Sequence, residues 1–235
     1  MVNFGLGPSI ATLLTLSVGG ITGITAGLPS GEQAAGRRHA YASEAPAGTG
    51  QQDSNPLLEQ RTRGDPAALI KIYEASDFQC RHCKTFVEEI LPRLDAEYIQ
   101  TGKAQLVFLN LPLVDLHPNA AAAHEFAMCA AQQDRFWPAH DLLFRHQDSW
   151  GGSSSPGRFF LSLVDSVGLD RDVLMRCVET GALRWLVRAE AVALFQKGIR
   201  STPSFVIDEG LMVGGQSIES WRQVLDSLHV KKTRG

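Results

Sequence analysis

The sequence predicts an α/β fold in which a small sheet is split by an α-helical insertion. Three observations predict this fold. Strand patterns occur at 67–73 and 104–110 and again at 204–208 and 211–213, helical patterns fill the interval between the two pairs, and a Cys-x-x-Cys motif follows the first strand. Because a strand, a helix and a second strand come first, we expect those two strands to pair in parallel.

The remaining elements follow in order along the chain. A helix is predicted at 81–100, with a kink expected at Pro92. The helical insertion covers about 112–198, and its helices are predicted at 119–133, 135–147, 158–167, 170–180 and 182–197. A helix at 218–228 follows the last strand and ends the domain, which is predicted to run from 65 to 235.

The composition excludes some classes of function. In a chain of 235 residues with a net charge of −3, Asp and Glu slightly outnumber Lys and Arg, and the one basic cluster is the tail at 231–234. This is unlike the basic surface of a nucleic-acid-binding protein. The chain also lacks G-x-G-x-x-G, P-loop and H-E-x-x-H motifs, so neither nucleotide binding nor zinc-protease chemistry is supported.

The N-terminal part of the chain predicts export. Residues 10–28 carry no charge, which indicates a signal peptide or a membrane anchor over 1–28, and residues 40–42 offer an A-x-A cleavage pattern further downstream. A cytosolic tail is the alternative. Residues 29–64 are rich in Gly, Ala, Pro, Ser and Gln and predict a flexible linker. The even set of four cysteines suits an oxidising, extracytoplasmic compartment such as the periplasm or cell envelope.

The chemistry of the chain is predicted to centre on Cys80 and Cys83, which open the helix after the first strand. At a helix N-terminus, the first thiol of such a motif faces solvent and the positive end of the helix dipole, which favours its thiolate. Cys80 is therefore the candidate nucleophile, and Cys83 resolves the mixed disulfide. The alternatives are a zinc ligand or a static disulfide. Cys129 and Cys177 lie 46 and 94 residues beyond Cys83, too far for a compact zinc motif, so no metal is expected.

Two residues between the cysteines are expected to favour the Cys80 thiolate. The imidazole of His82, together with the helix amides, and the positive charge of Arg81 would each stabilise a negative sulfur. An exposed helical histidine with no such role is the alternative. A more stable thiolate stabilises the reduced dithiol, so the disulfide becomes more oxidising.

Several segments together resemble the thioredoxin superfamily, and within it the DsbA-like thiol:disulfide oxidoreductases that carry an inserted helical domain. The segments are 74–83, 126–130, 136–137, 140–144 and 198–205. The resemblance implies a thioredoxin-like fold and a cis proline at Pro203; an ordinary trans proline that opens a strand is the alternative. Thr202 and Pro203 would then flank the disulfide and shape a substrate groove in which a peptide adds as an extended strand. Arg81 stands where the family often has proline.

Glu74 resembles the buried acid that these proteins place under the disulfide. It would relay a proton to or from Cys83; a surface carboxylate at the strand end is the alternative. Asp77 is read as a turn or N-cap residue.

The hypothesis for Cys129 and Cys177 is a structural disulfide that contributes roughly 4 kcal/mol to stability on the chain-entropy model; two buried free thiols are the alternative. The histidines of the insertion are read as packing or surface residues: His117, His124, His140 and His146.

The sequence thus predicts an exported thiol:disulfide oxidoreductase that oxidises cysteine pairs in protein substrates. The resemblance implies reoxidation by a membrane partner of the DsbB or vitamin K epoxide reductase type, and no bound cofactor. A monomer is expected. One alternative is a reductase or isomerase with the same site, and another is a non-catalytic chaperone of thioredoxin fold whose disulfide is structural.

Overall fold

The computed structural model describes residues 56–234. The predicted signal peptide or anchor at 1–28 and most of the predicted linker lie outside the described residues. Between residues 56 and 234, no helix has both the length and the apolar character that crossing a bilayer requires.

The fold is built on a five-stranded mixed sheet with strand order β1-β3-β2-β4-β5, which confirms the predicted thioredoxin-like α/β fold class. The strands are β1 (Thr62–Arg63), β2 (Ile70–Ser76), β3 (Ala104–Asn110), β4 (Ser204–Ile207) and β5 (Gly210–Val213). The central strands β2 and β3 pair in parallel from Ile70↔Ala104 to Ser76↔Asn110, as a strand–helix–strand unit requires. The other pairings are antiparallel.

The folded domain begins earlier than the sequence predicts. Residues Pro56–Glu59 form a short helix, α1, and β1 follows at the edge of the sheet, so the predicted linker is wrong for 56–64. A polar residue, Arg61, attaches this segment to the rest of the fold. The guanidinium of Arg61 is buried, pairs with both carboxylate oxygens of Glu190 at 2.7 and 2.8 Å, and donates to the Phe108 carbonyl at 3.2 Å. A single buried arginine produces no apolar periodicity in the sequence, and this is why the segment was predicted to be a linker.

The helical segment after the cysteines is continuous but not uniform. It consists of α2 (Arg81–Thr85), a π-helical turn (Phe86–Ile90), α3 (Leu91–Leu94) and a second π-helical turn (Asp95–Ile99). Pro92 lies in the first turn of α3, where its missing N–H is tolerated. The change from π-helical to α-helical backbone therefore occurs next to the residue at which the sequence predicted a kink.

The helical insertion occupies the chain between β3 and β4, and one long helix ends the fold. The helices are α4 (Ala120–Ala131), α5 (Phe136–Arg145), α6 (Gln147–Trp150), α7 (Pro156–Ser162), α8 (Val164–Val167), α9 (Arg171–Thr180), α10 (Arg184–Gln196) and α11 (Ile218–Arg234). The main apolar core joins the insertion to the sheet and contains Phe78, Cys80, Cys83 and Phe108. The cysteine motif therefore lies where the sheet meets the insertion.

Candidate active site

The turn between β2 and α2 sets the position of the first cysteine. The carboxylate of Asp77 accepts the Gln79 N–H at 2.8 Å, and the Asp77 carbonyl accepts the Cys80 N–H at 3.0 Å. Of the two roles predicted for Asp77, turn residue or N-cap, the structure shows the turn residue. The N-cap position of α2 is taken by Cys80 itself, whose backbone is extended with φ −74° and ψ 124°. This places its sulfur at the helix N-terminus.

Cys80 and Cys83 are both free and buried in this structure. The Cys80 sulfur lies 3.4 Å from the carbonyl oxygen of Thr202. The pKa of Cys80 is lowered to about 5, first by its hydrogen bond with the Cys83 thiol, then by Thr202 and the backbone N–H groups of Cys83 and His82; burial opposes this shift. Cys80 is therefore the thiol of the pair that is mainly ionised at neutral pH.

Cys83 has the opposite character. Its side chain is fully buried, and burial is the first cause that raises its pKa well above the ordinary thiol value. The hydrogen bond with Cys80 and the negative charge of Cys80 raise it further, while the Ser76 hydroxyl and the Asp77 backbone N–H lower it. The two sulfurs thus divide into an acidic outer thiol and a protonated inner thiol.

The sequence predicted that the side chains of His82 and Arg81 stabilise the Cys80 thiolate, but the structure points to the backbone instead. Both residues are exposed. The part of His82 that lowers the pKa of Cys80 is its backbone N–H, within the first turn of α2. The helix N-terminus is therefore a direct contributor to the Cys80 thiolate.

Glu74 is buried in β2, paired with Phe108 on one side and Phe205 on the other. It is not a surface carboxylate. Burial raises its pKa to about 7, against smaller lowering effects of the Ser76 hydroxyl and Arg63, and among residues 56–234 neither carboxylate oxygen has a hydrogen-bond partner. Glu74 and Ser76 lie on the same face of the strand, and Ser76 also acts on Cys83. Glu74 is therefore a buried acid on the strand that leads to the cysteines, two positions before the serine that lowers the pKa of Cys83.

Thr202 and Pro203 are buried and joined by a cis peptide bond directly before β4. Strand β4 pairs with β2 through Ala75↔Ser204, which carries the two residues to the cysteines from the far end of the chain. The sheet thus brings together Glu74, Cys80, Cys83 and Thr202–Pro203, which are separated in sequence by up to 129 positions.

Sequence reasoning missed a set of amide side chains that join the Asp77–Cys80 turn to the insertion. Gln147 donates to the carbonyls of Phe78 and Cys80 at 2.7 and 3.0 Å. Gln79 donates to Gly151 at 2.7 Å and accepts the backbone N–H of Asn119 at 2.8 Å. No motif could reveal them, since each is a single polar residue whose partner lies 40 to 72 positions away.

The histidines of the insertion are spread over separate environments. His124 and His140 are fully buried among aromatic side chains, and burial lowers the pKa of both, that of His124 to about 4. His117 lies 2.9 Å from the Asp77 carboxylate, and His146 contacts Phe159. In the part of the chain that the structure describes, no group of His, Cys, Asp and Glu is arranged to hold a metal ion.

Cys129 of α4 and Cys177 of α9 form a disulfide across the insertion, with their sulfurs 2.04 Å apart. Both are buried in the main core, and their Cα atoms are 5.9 Å apart. The chain therefore holds two cysteine pairs in different states.

Comparison with known proteins agrees with this arrangement. A family model described as thioredoxin matches residues 57–227, most of the described domain.

This chain belongs to the thioredoxin family.

Among solved structures, this thioredoxin-family domain is similar to α-DsbA1 of Wolbachia pipientis, with a TM-score of 0.67 and 22% identity over 74% of this chain and 92% of that one. The likeness confirms the fold with a helical insertion that the resemblance implied. Among curated relatives, the "Probable disulfide bond formation protein D" of Bacillus anthracis is 38% identical over 88 residues. That match covers 37% of this chain and 41% of the relative, so the chain spans less than half of the relative's length.

A second relative places a similar segment in a larger protein. The "Na(+)/H(+) antiporter NhaA 3" of Salinispora tropica is 31% identical over 160 residues, which is 67% of this chain but 23% of that protein. The shared part is thus a minor portion of the antiporter chain.

Proposed function

We propose that this thioredoxin-family protein is a thiol:disulfide oxidoreductase that oxidises cysteine pairs in extracytoplasmic proteins. The observation that carries the proposal is the contrast between two thiols three positions apart. The pKa of Cys80 is lowered to about 5 at a helix N-terminus, while burial raises the pKa of Cys83. A nucleophile and a resolving thiol need this division.

In the proposed first step, a substrate thiolate attacks the Cys80 sulfur of the Cys80–Cys83 disulfide. The substrate–Cys80 bond forms, the Cys80–Cys83 bond breaks, and its electron pair leaves on Cys83. Cys83 then takes a proton, and Glu74 is its proposed donor because its pKa of about 7 leaves it partly protonated at neutral pH.

In the second step, another thiolate of the substrate attacks the substrate sulfur of the mixed disulfide. A substrate disulfide forms, and Cys80 departs as a thiolate. The backbone N–H groups of His82 and Cys83 stabilise that leaving group. Thr202 and Pro203 form the proposed edge along which an extended substrate backbone binds. The substrate has then lost two electrons, and the protein holds a reduced dithiol.

The direction of the reaction follows from the same stabilisation. A stable Cys80 thiolate favours the reduced protein, so its disulfide is expected to be a strong oxidant. Reoxidation then requires an electron acceptor, which we propose is a quinone-linked membrane protein of the DsbB or vitamin K epoxide reductase type. The name of the Bacillus anthracis relative supports disulfide formation as the reaction. The uncharged segment at 10–28 supports an extracytoplasmic site of action.

The experiment that tests the proposal is the equilibrium reduction potential of Cys80–Cys83 in the full chain. The protein is poised in glutathione buffers, and the redox state of this pair is measured by mass spectrometry of its peptides, with Cys80→Ser as the control. A potential of about −120 mV is expected for an oxidant.

The other outcomes select the alternatives. A potential of about −270 mV would favour a reductase or isomerase that a membrane donor keeps reduced. A pair that does not exchange with glutathione would leave the chaperone interpretation.

A further inference from the structure

A buried amide side chain of the insertion holds the backbone on which the reactive cysteine lies. Gln147 begins α6 and is 3% exposed. Its Nε2 donates one hydrogen bond to the Phe78 carbonyl at 2.7 Å and another to the Cys80 carbonyl at 3.0 Å. The two N–H groups of the Gln147 amide thus donate to the backbone carbonyls on either side of Gln79.

The Cys80 carbonyl matters because it starts helix α2. It accepts the Lys84 N–H at 3.1 Å, the first hydrogen bond of the helix, in addition to the Gln147 amide. The orientation of this carbonyl fixes the peptide plane that follows Cys80, and with it the direction of the next N–H groups. Those of His82 and Cys83 are the ones that act on the Cys80 sulfur.

We propose that Gln147 is a positioning residue for the Cys80 thiolate: by fixing the carbonyls of Phe78 and Cys80, it keeps the first turn of α2 aimed at the sulfur. The helical insertion would then contribute directly to the reactivity of a cysteine that belongs to the thioredoxin-like part of the fold. This inference rests on the proposed function only in taking Cys80 as the reactive thiol.

The chemistry of the contact gives the expected effect. Removing the Gln147 amide takes a donor away from two buried carbonyls, which favours a shift of the turn toward other donors. Any rotation of the Cys80–Arg81 peptide weakens the interaction of the sulfur with the helix N-terminus. The thiolate of Cys80 is then less stable, and less of it is present at low pH.

Gln79 provides a matched control. Its amide also joins the turn to the insertion, through Gly151 at 2.7 Å and the Asn119 N–H at 2.8 Å, but the contact uses none of the carbonyls that Gln147 holds. The substitutions Gln147→Leu and Gln79→Leu therefore remove the same chemical group between the same two parts of the fold. A difference between the two variants in Cys80 reactivity is therefore due to the lost hydrogen bonds to the Phe78 and Cys80 carbonyls, not to a general loosening of the interface.

The test is the pH dependence of Cys80 alkylation by iodoacetamide in the reduced full-length protein, read by mass spectrometry of the Cys80 peptide. For Gln147→Leu, we expect a roughly fivefold slower reaction at pH 5, equivalent to a rise of about one unit in the pKa of Cys80. The rate at pH 9, where the thiol is ionised in either protein, is expected to change less than about twofold. Gln79→Leu is expected to follow the unaltered protein.

Equal profiles for Gln147→Leu and the unaltered protein would overturn the proposal, and so would equal shifts in the two Leu variants. If Gln147→Leu does not fold, Gln147→Asn replaces it, since this variant keeps the amide but shortens its reach; an unshifted profile there would equally overturn it. Alkylation requires a thiol but no disulfide exchange. The result is therefore separate from the reduction potential that tests the proposed function.

Discussion

The two cysteine pairs of this protein have the same atoms and opposite properties. Cys80 and Cys83 are free and lie on one helical turn beside the sheet, whereas Cys129 and Cys177 join two helices of the insertion through a closed disulfide. Both pairs belong to the same apolar core. Burial by itself therefore does not separate a reactive pair from a structural one.

What separates them is the polar groups that reach the sulfur. The backbone N–H groups of His82 and Cys83 in the first turn of α2 lower the pKa of Cys80, and the Thr202 carbonyl lies 3.4 Å from its sulfur as an acceptor for the thiol. Cys129 and Cys177 are surrounded mainly by apolar side chains of the insertion. A redox site thus needs groups that favour the thiolate, while a structural bridge needs only proximity and burial.

The largest effect is expected from replacing the outer sulfur of the reactive pair. Cys80→Ser should abolish disulfide transfer to a dithiol peptide, because a hydroxyl forms no disulfide. The assay is peptide oxidation followed by mass spectrometry. If Cys80→Ser retained transfer, the comparison would fail, since the reactive sulfur would have to lie elsewhere.

The second effect concerns the structural pair. Replacing Cys129 and Cys177 by Ala should lower the free energy of unfolding by about 4 kcal/mol, because the bridge closes a segment with a sequence separation of 48. Urea unfolding measures this, with Cys80 and Cys83 changed to Ser in every sample so that one pair varies at a time. A loss below about 1 kcal/mol would show that packing, not the bridge, holds the insertion together.

The third effect compares the reduced and oxidised forms of one protein. A thiol whose pKa is lowered on folding contributes stability that is present above its ordinary pKa and is lost as the pH falls through the folded value, here about 5 for Cys80. The stability advantage of the reduced form should therefore shrink by an amount on the order of 3 kcal/mol between pH 8 and pH 5. Urea unfolding of both forms at each pH measures it; an unchanged advantage would contradict the Cys80 assignment.

The smallest of these effects involves Glu74. Its pKa is raised by burial to about 7, so the folded state keeps a proton that the unfolded state releases, and stability falls as the pH rises toward 7. Glu74→Gln should therefore stabilise the protein at pH 8 by an amount on the order of 2 kcal/mol, and little at pH 4.

Glu97→Gln is the control for this change, because that carboxylate is paired with Arg222, which lowers its pKa, and its loss should not stabilise the protein. Thermal unfolding at both pH values measures the two variants. A stabilisation of Glu74→Gln that is equal at pH 4 and pH 8 would argue against a buried ionisable acid.

Local patterns predicted most of the fold. The strand at 104–110 has the bounds of the observed β3, and four predicted helices match α4, α5, α9 and α10 within two residues, because apolar periodicity and glycine or proline breaks are local signals. The helix predicted at 158–167 is instead the two short helices α7 and α8, and α6 was not predicted. The start of the domain was predicted wrongly, since Arg61 joins the fold through a partner 129 positions away. For the same reason the Gln147 contact with the Cys80 backbone could not be predicted, since its partner lies 67 positions away.

Local sequence was enough to single out the proposed reactive pair and the order of the elements around it, since a Cys-x-x-Cys at a strand-to-helix junction is defined by neighbouring residues. The acidity of each thiol, the burial of Glu74 and the side chains that hold the Cys80 backbone could be read only from the folded chain. Those properties depend on burial and on hydrogen-bond partners from distant positions, and the folded chain alone brings these together.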